Sequence, residues 1–244
     1  MVDIHCHCLP GIDDGPSTTD ESLQLCRSLS ENGIGRVIAT PHQLGRYDTS
    51  NTAIHIRHLT DDLNHRLKQS GIDLTVYPGA DVRVDERIAA LLETDQILTL
   101  ADGGRYLLLE LPHTVWIAPN RLLADLALRG ITGILSHPER HQSIAHEPGL
   151  IEPWLDHGAL LQITAASLCG DFGPEAMRLA WHFLENGQAA IVASDAHDTH
   201  RRPPRMHRAM QLIQARLGTA RATEVCIDNP TRILEGADVL TLAA

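Results

Sequence analysis

The sequence predicts an α/β protein built on a parallel barrel of about seven strands, with an open doubly wound sheet as the runner-up. Three observations predict it. Short β-branched or leucine-rich runs alternate with stretches of helical length along the whole chain, as buried parallel strands joined by crossover helices do. The connections between them are short and rich in Gly, Pro and Asp. Histidines and carboxylates follow the apolar runs again and again. Side chains just past several parallel strands gather at one end of the sheet, where barrels keep their active sites.

The elements follow in order. Strand 2–5 opens the chain with Asp3-Ile4-His5-Cys6-His7, and the loop Pro10–Pro16 carries Asp13 and Asp14. Helix 19–31 begins at a capping box, Thr18-x-x-Glu21, and stops at Asn32-Gly33. Strand 36–40 (Val37-Ile38-Ala39) leads to Thr40-Pro41-His42. Helix 51–70 places His55, His58 and His65 on a solvated face and ends at Gly71. Strand 73–78 leads to Gly79-Ala80-Asp81, and helix 85–93 follows. Strand 106–110 ends its leucine run in Glu110, and helix 119–129 stops at Gly130. Strand 131–136 (Ile134-Leu135-Ser136) leads to His137. Helix 148–157, strand 159–164 and helix 174–186 come next, with Gly158 and Gly187 at the helix ends. Strand 189–194 (Ile191-Val192-Ala193) leads to Ser194-Asp195-Ala196-His197, and helices 205–217 and 229–235 close the chain. No linker, repeat or low-complexity segment interrupts this order, so residues 1–244 read as one domain.

Composition narrows the function. A net charge of −11 argues against a duplex nucleic-acid footprint, which needs basic stripes. Aromatics at 3% leave few platforms for stacking single-stranded bases. No apolar run is long enough for membrane insertion, and no basic segment precedes an apolar one at the start, so a cytoplasmic location is expected. The five cysteines (Cys6, Cys8, Cys26, Cys169, Cys226) are an odd set without disulfide spacing and read as free thiols. Strand alternation sends Cys6 and Cys8 to the face opposite His5 and His7. Fifteen histidines is far above ordinary usage.

His5-x-His7 sets two imidazoles about 7 Å apart on one strand face, close enough to share a metal. Asp195-x-His197 repeats the arrangement near the other end. His42, Asp81, Glu110 and His137 each arrive from a separate strand, and Asp14 reaches the same mouth from its loop. One ion takes roughly four to six ligands, so this set suits a cluster of two or three. His and carboxylate without thiolate favours Mn, Fe or Zn. Clustered metals generate hydroxide at neutral pH and clamp an in-line displacement at phosphorus. Any single His past a strand is more often an ordinary loop residue; agreement at one end of successive strands carries the inference. Arg140 and Arg202 lie on loops at that end, where a guanidinium fork matches phosphate oxygens. His113, His141, His146, His157, His182, His200 and His207 are expected at surface or otherwise satisfied positions.

Asp3-Ile4-His5-x-His7, Thr40-Pro41-His42, Glu110, Ser136-His137-Pro138-Glu139-Arg140 and Ala193-Ser194-Asp195-x-His197 together resemble the polymerase and histidinol phosphatase (PHP) superfamily. Asp13-Asp14-Gly15-Pro16, Leu109-Glu110-Leu111-Pro112, Arg202-Pro203-Pro204 and Asp228-Asn229-Pro230 are similar to its capsule-type bacterial tyrosine phosphatases, the CpsB/YwqE group. The likeness runs from residue 1 to about 236, and its motifs are specific in combination and weak singly. It implies a single PHP-type catalytic domain with a distorted (β/α)7 TIM-like barrel, and three divalent ions, manganese first with iron or zinc as alternatives. It further implies hydrolysis of phosphotyrosine on a bacterial tyrosine kinase, at its C-terminal tail, in capsule or exopolysaccharide synthesis. By position His5, His7, Glu110 and Asp195 would hold one ion, Glu110, Asp81 and His137 a second, and Asp14, His42 and His197 a third. Arg140 and Arg202 would grip the phosphate. Asp81 departs from the group's usual Glu; its carboxylate is drawn back by about 1.5 Å, enough to weaken the second ion. His141 stands where the group often has Tyr, at the mouth of the site. The rivals are a PHP phosphoesterase for a small phosphomonoester such as histidinol phosphate, and a catalytically weak metal-binding regulator of the kinase.

Overall fold

The structure, a computed structural model, describes residues 1–48, 50–112 and 116–240; His113 lies outside them. Strands and helices alternate as the hydrophobic runs demand. The strands are β1 (Val2–Cys6), β2 (Arg36–Ala39), β3 (His42–Gln43), β4 (Thr75–Pro78), β5 (Asp81–Arg83), β6 (Tyr106–Glu110), β7 (Thr132–Ser136), β8 (Leu160–Thr164) and β9 (Ala189–Ala193). All pair in parallel, in two sheets ordered β1-β2-β4 and β3-β5-β6-β7-β8-β9. The pairing does not close into one continuous barrel among the described residues. The ends of β1 and β9 are nonetheless tied: Asp195 N donates to His5 O at 2.8 Å and His7 N to Ala196 O at 2.9 Å.

Two strand tracks break midway, which is why the sheet divides. Thr40-Pro41 separates β2 from β3, and Pro41 has no N–H for the ladder. Gly79-Ala80 separates β4 from β5 where the chains crowd: a Cβ on Gly79 would lie 2.6 Å from Ile38 Cγ2. The strands expected over 36–40 and 73–78 are β2 and β4; the short strands β3 and β5 that follow them were not expected.

Helices cover the outside: α1 (Thr19–Glu31), α2 (Ala53–Gln69), α3 (Ile88–Glu93), α4 (Asn120–Leu128), α5 (Gln142–His146), α6 (Glu152–Asp156), α7 (Ala165–Cys169), α8 (Gly173–Glu185), α9 (Met206–Leu217), α10 (Thr219–Thr223) and α11 (Asn229–Leu234). The capping box at Thr18 and Glu21 is formed. Helix α3 starts later than periodicity suggests, because Arg83 stays in β5 and Val84 N donates to Glu110 O at 2.9 Å. The segment 148–157 is a 3-10 turn, Pro148–Ile151, running into α6, since Pro148 and Pro153 each remove a helical donor. The short α5, α7 and α10 have no sequence counterpart above. No described helix is long and apolar enough to cross a membrane.

Strand alternation divides the core in two. Outward-facing Val37, Leu107, Leu109, Leu135, Leu161 and Val192 pack with the helices. Inward-facing Ile4, Ile38, Leu108, Ile134, Leu160 and Ile191 pack against one another between the strands. Farther along these inward rows, toward the C-terminal ends of the strands, polar residues replace the apolar ones and build the site. His55, His58 and His65 are exposed, Cys6 and Cys8 lie in the outer core, and the five cysteines are unpaired.

Candidate metal centre and active site

The inward rows deliver the site residues one strand at a time. Ile38 leads by steps of two to His42, Leu108 to Glu110, and Ile191 through Ala193 to Asp195, as the period of a strand requires. Strand β1 breaks the rule usefully. Its step from Asp3 to Cys6 lies opposite Val37 to Ala39, so β1 holds one extra residue. This bulge changes parity and turns both His5 and His7 inward below the mouth. His137 (φ 35°) and Asp195 (φ 50°) follow β7 and β9 in the left-handed region, where non-glycine residues sit under strain of about 1–3 kcal/mol. Asp3, buried under the cluster, accepts from Ser194 N at 3.0 Å and His5 N at 3.3 Å, joining the first strand to the last. Burial pushes its carboxyl up to about 6.

All nine proposed ligands come together, in four overlapping groups whose donor atoms lie within 4.8 Å of one another. One holds His7, Asp14, His42 and His197; the others are His5-His7-Asp81, His5-His137-Asp195 and His42-Asp81-Glu110. Asp14 Oδ1 lies 3.4 Å from both His42 Nε2 and His197 Nε2. Asp81 Oδ2 stands 3.6 Å from His5 Nε2 and from His42 Nδ1, so its shorter side chain still reaches the middle of the cluster.

Without cations these groups conflict. Burial, then the neighbouring Glu110 carboxylate, pushes Asp81 well above the usual carboxylate range. Burial also raises Asp195, but the charges of Arg140, His5 and Arg202 outweigh it and hold that carboxyl well below the usual range. His5 is pushed down to about 4, chiefly by burial. Burial would lower His42 as well, yet Asp14, Asp81 and Glu110 carry it up to about 9. Both oxygens of Asp81, Asp195 Oδ1 and His42 Nδ1 are buried without a hydrogen-bond partner. Such orphans are rare in proteins, and a hard or borderline divalent cation satisfies this His and carboxylate set. The residues fit metal ions, and no cysteine belongs to any of the groups.

Arg140 Nη1 and Arg202 Nη2 meet at one carboxylate oxygen, Asp195 Oδ2, at 2.8 and 2.6 Å. Both guanidinium groups stand over the Phe172 ring, 4.7 and 5.9 Å from its centre. They border a cavity of about 250 Å³ that also opens onto Asp14, His42, Glu110 and His137.

Several residues here escaped the sequence reading. Asp13 Oδ2 pairs with His7 Nδ1 at 2.6 Å and accepts from His42 N at 3.2 Å. Gln162 Oε1 faces His5 Nδ1 at 2.7 Å. Each partner leaves the imidazole Nε2 to face the cluster, the arrangement that orients metal-binding histidines. A signal existed for both. Asp13 precedes Asp14 in a loop pressed onto β1 at Gly15, where any Cβ would strike the His7 carbonyl oxygen. Gln162 is the polar residue inside Leu160–Ile163 and continues the inward row from Leu160. Asp13→Asn is expected to lower metal affinity by about 10- to 100-fold, measured by titration of stripped protein; unchanged affinity would remove Asp13 from this role. Arg46, Tyr47 and Arg83 also line the cavity. Of the surface or satisfied positions expected for His141 the structure shows the second: it is buried and its Nδ1 accepts from Ser143 N at 3.2 Å as the cap of α5. Its ring meets Trp116 edge-on, with centres 5.7 Å apart. His146, His157, His200 and His207 are exposed and His182 is half-buried.

The model of the family described as capsular polysaccharide synthesis, CpsB/CapC, matches residues 1–235. The tyrosine-protein phosphatase YwqE of Bacillus subtilis is 34% identical over 98% of this chain and 91% of its own length. The tyrosine-protein phosphatase CpsB of Streptococcus pneumoniae is 30% identical over 96% of this chain and 98% of its own. A crystal structure from work on these two proteins, described as unique metal-dependent tyrosine phosphatases, superposes with a TM-score of 0.95. That match has 31% identity and covers 99% of this chain and 97% of the other. An organophosphorus hydrolase with a TM-score of 0.57 and 12% identity shares the fold alone.

Proposed function

The chain belongs to the CpsB/CapC family, and from that premise we propose that it is a metal-dependent protein-tyrosine phosphatase of capsule or exopolysaccharide synthesis. Its substrate is phosphotyrosine on a partner protein, the C-terminal tail of a bacterial tyrosine kinase, met in the cytoplasm. The observation that carries this reading is the meeting of four His and carboxylate groups with two arginines at one cavity. The catalytic unit is one PHP-type domain spanning the chain, a distorted (β/α)7 barrel, a reading supported by the bridge between Cys6 at the end of β1 and Ala196 past β9.

His5, His7, Asp14, His42, Asp81, Glu110, His137, Asp195 and His197 hold three divalent ions, manganese first. Bound there, the ions supply Lewis acidity and activate water at neutral pH. The chain's own groups do the rest. Arg140 and Arg202 exchange Asp195 for the phosphoryl oxygens and neutralise their charge as it redistributes. Gln162 and Asp13 hold His5 and His7 in one tautomer. Asp14, on the rim, closes the ligand set beside His42 and His197. The leaving phenol has a pKa of about 10, so departure needs less proton assistance than that of an aliphatic alcohol.

The test is phosphate release from a tyrosine-phosphorylated peptide by metal-stripped protein, with and without added Mn²⁺. Release restored by metal is the expected result. Silence with Mn²⁺, Fe²⁺ and Zn²⁺ alike would sink the reading.

A further inference from the structure

We propose that a second arginine pair, Arg46 and Arg83 beside Tyr47, reads a carboxylate side chain next to the phosphotyrosine, so that the site selects acidic phosphopeptides. This rests on the phosphatase reading of the same cavity. In a chain of net charge −11, the cavity gathers Arg46, Arg83, Arg140 and Arg202 against Asp14, Glu110 and Asp195. One phosphomonoester dianion is matched by one pair of forks. Arg140 and Arg202 form that pair, since they converge on one oxygen of Asp195. The other two arginines are more than the phosphate needs.

They stand on other parts of the same cavity wall, Arg46 on the turn Gly45–Tyr47 and Arg83 on β5. Arg46 lies 3.7 Å from Asp14 Oδ2, with 69% of its side chain exposed. Arg83 Nε is 3.2 Å from Glu110 Oε2, and its stem runs along Gly45. Nearby Arg87 differs: Asp48 and Asp85 hold it at 3.1 and 2.8 Å, which leaves it committed. Arg46 is preorganised instead. Its guanidinium stands 4.7 Å above the Tyr47 ring and donates to the Tyr47 hydroxyl at 2.5 Å. Tyr47 in turn stacks on His42, at 5.6 Å and 16°, so one aromatic edge links the cluster to the rim.

The backbone beneath this turn is strained. Leu44 is buried at φ 67°, ψ −170°, a region that is nearly glycine-only and costs a side-chain residue about 1–3 kcal/mol. Neighbouring side chains over-determine it. Gln43 Nε2 donates to Asn51 O at 2.7 Å, Leu98 N donates to Gln43 Oε1 at 2.9 Å, and Asn51 Nδ2 donates to His42 O at 2.8 Å. Strain braced in this way is found where a turn must aim particular side chains. Here it aims Arg46 and Tyr47 at the cavity.

The experiment compares kcat/KM for phosphotyrosine peptides flanked by Glu with the same peptides flanked by Lys, using metal-loaded full-length protein. The ratio is the readout. Wild type is expected to favour the acidic peptide by about fivefold, the scale of exposed ion pairs, and Arg46→Glu to reverse the preference. Arg83→Gln, read the same way, should shrink it. A wild-type ratio of one, or a ratio untouched by Arg46→Glu, overturns the proposal. If p-nitrophenyl phosphate is still hydrolysed in that case, the phosphatase reading stands while the acidic preference falls. If neither that ester nor any peptide is hydrolysed, both fall together.

Discussion

Asp195→Asn is expected to lower kcat/KM for a phosphotyrosine peptide on the order of 10²- to 10³-fold, the scale of removing one preorganised charge contact from a transition state. Asp195 is where the ligand cluster and the phosphate site meet. One oxygen holds Arg140 and Arg202, and the other stands 3.4 and 3.6 Å from His5 and His7. Removing its charge loosens both sets at once. Asparagine is the right replacement because Asp195 sits at φ 50°, a conformation Asn tolerates and alanine does not. Its similar shape also keeps the buried site filled. Kinetics on protein whose circular dichroism matches wild type checks the result; activity within threefold of wild type would mean that Asp195 touches neither metal nor substrate.

Adding Mn²⁺ to stripped protein is expected to raise the melting temperature by roughly 10 °C. At about 1,000 times its Kd a ligand adds about 4 kcal/mol, and each kcal/mol moves a chain of this size by about 2–4 °C. The physical source lies in the cation-free cluster. Asp81 is fully buried with both oxygens unbonded and is crowded by Glu110, so the folded apo state carries uncompensated polar groups. A cation removes that penalty in the folded state, whereas the unfolded chain offers no assembled site. Thermal melts with chelator, with Mn²⁺ and with Zn²⁺ decide the matter. Identical melting temperatures in all three would show that these residues bind no metal.

The site was legible in the sequence to the extent that strand periodicity carried it. His42, Asp81, Glu110, His137 and Asp195 follow apolar runs, and each proposed ligand lies within one of the close-packed donor groups. The same periodicity, pressed further, would have exposed Gln162. Other features depend on partners distant in the chain. Asp13 is one carboxylate among many until His7 is seen 2.6 Å away. Nothing local in the sequence singles out Arg46, Tyr47 and Arg83, which come together only at the cavity. His141 read as a surface or satisfied polar residue, and nothing local signals its burial beside Trp116.

By itself the sequence determined the α/β alternation, the order of the strands and the residues presented at their C-terminal ends, because hydrophobic period and turn chemistry are local properties. Only the tertiary structure decided how the strands pair into two sheets, and that β1 carries a bulge placing both His5 and His7 inward. It also decided the left-handed backbone at His137 and Asp195 and the sorting of four arginines into two pairs. Each of these depends on a neighbour brought close by packing: Val37–Ala39 across from β1, the carboxylate of Asp195 between two loops, Gln43 and Asn51 beneath Leu44. A strand cannot encode its own register or strain, since both are set by the surface it meets.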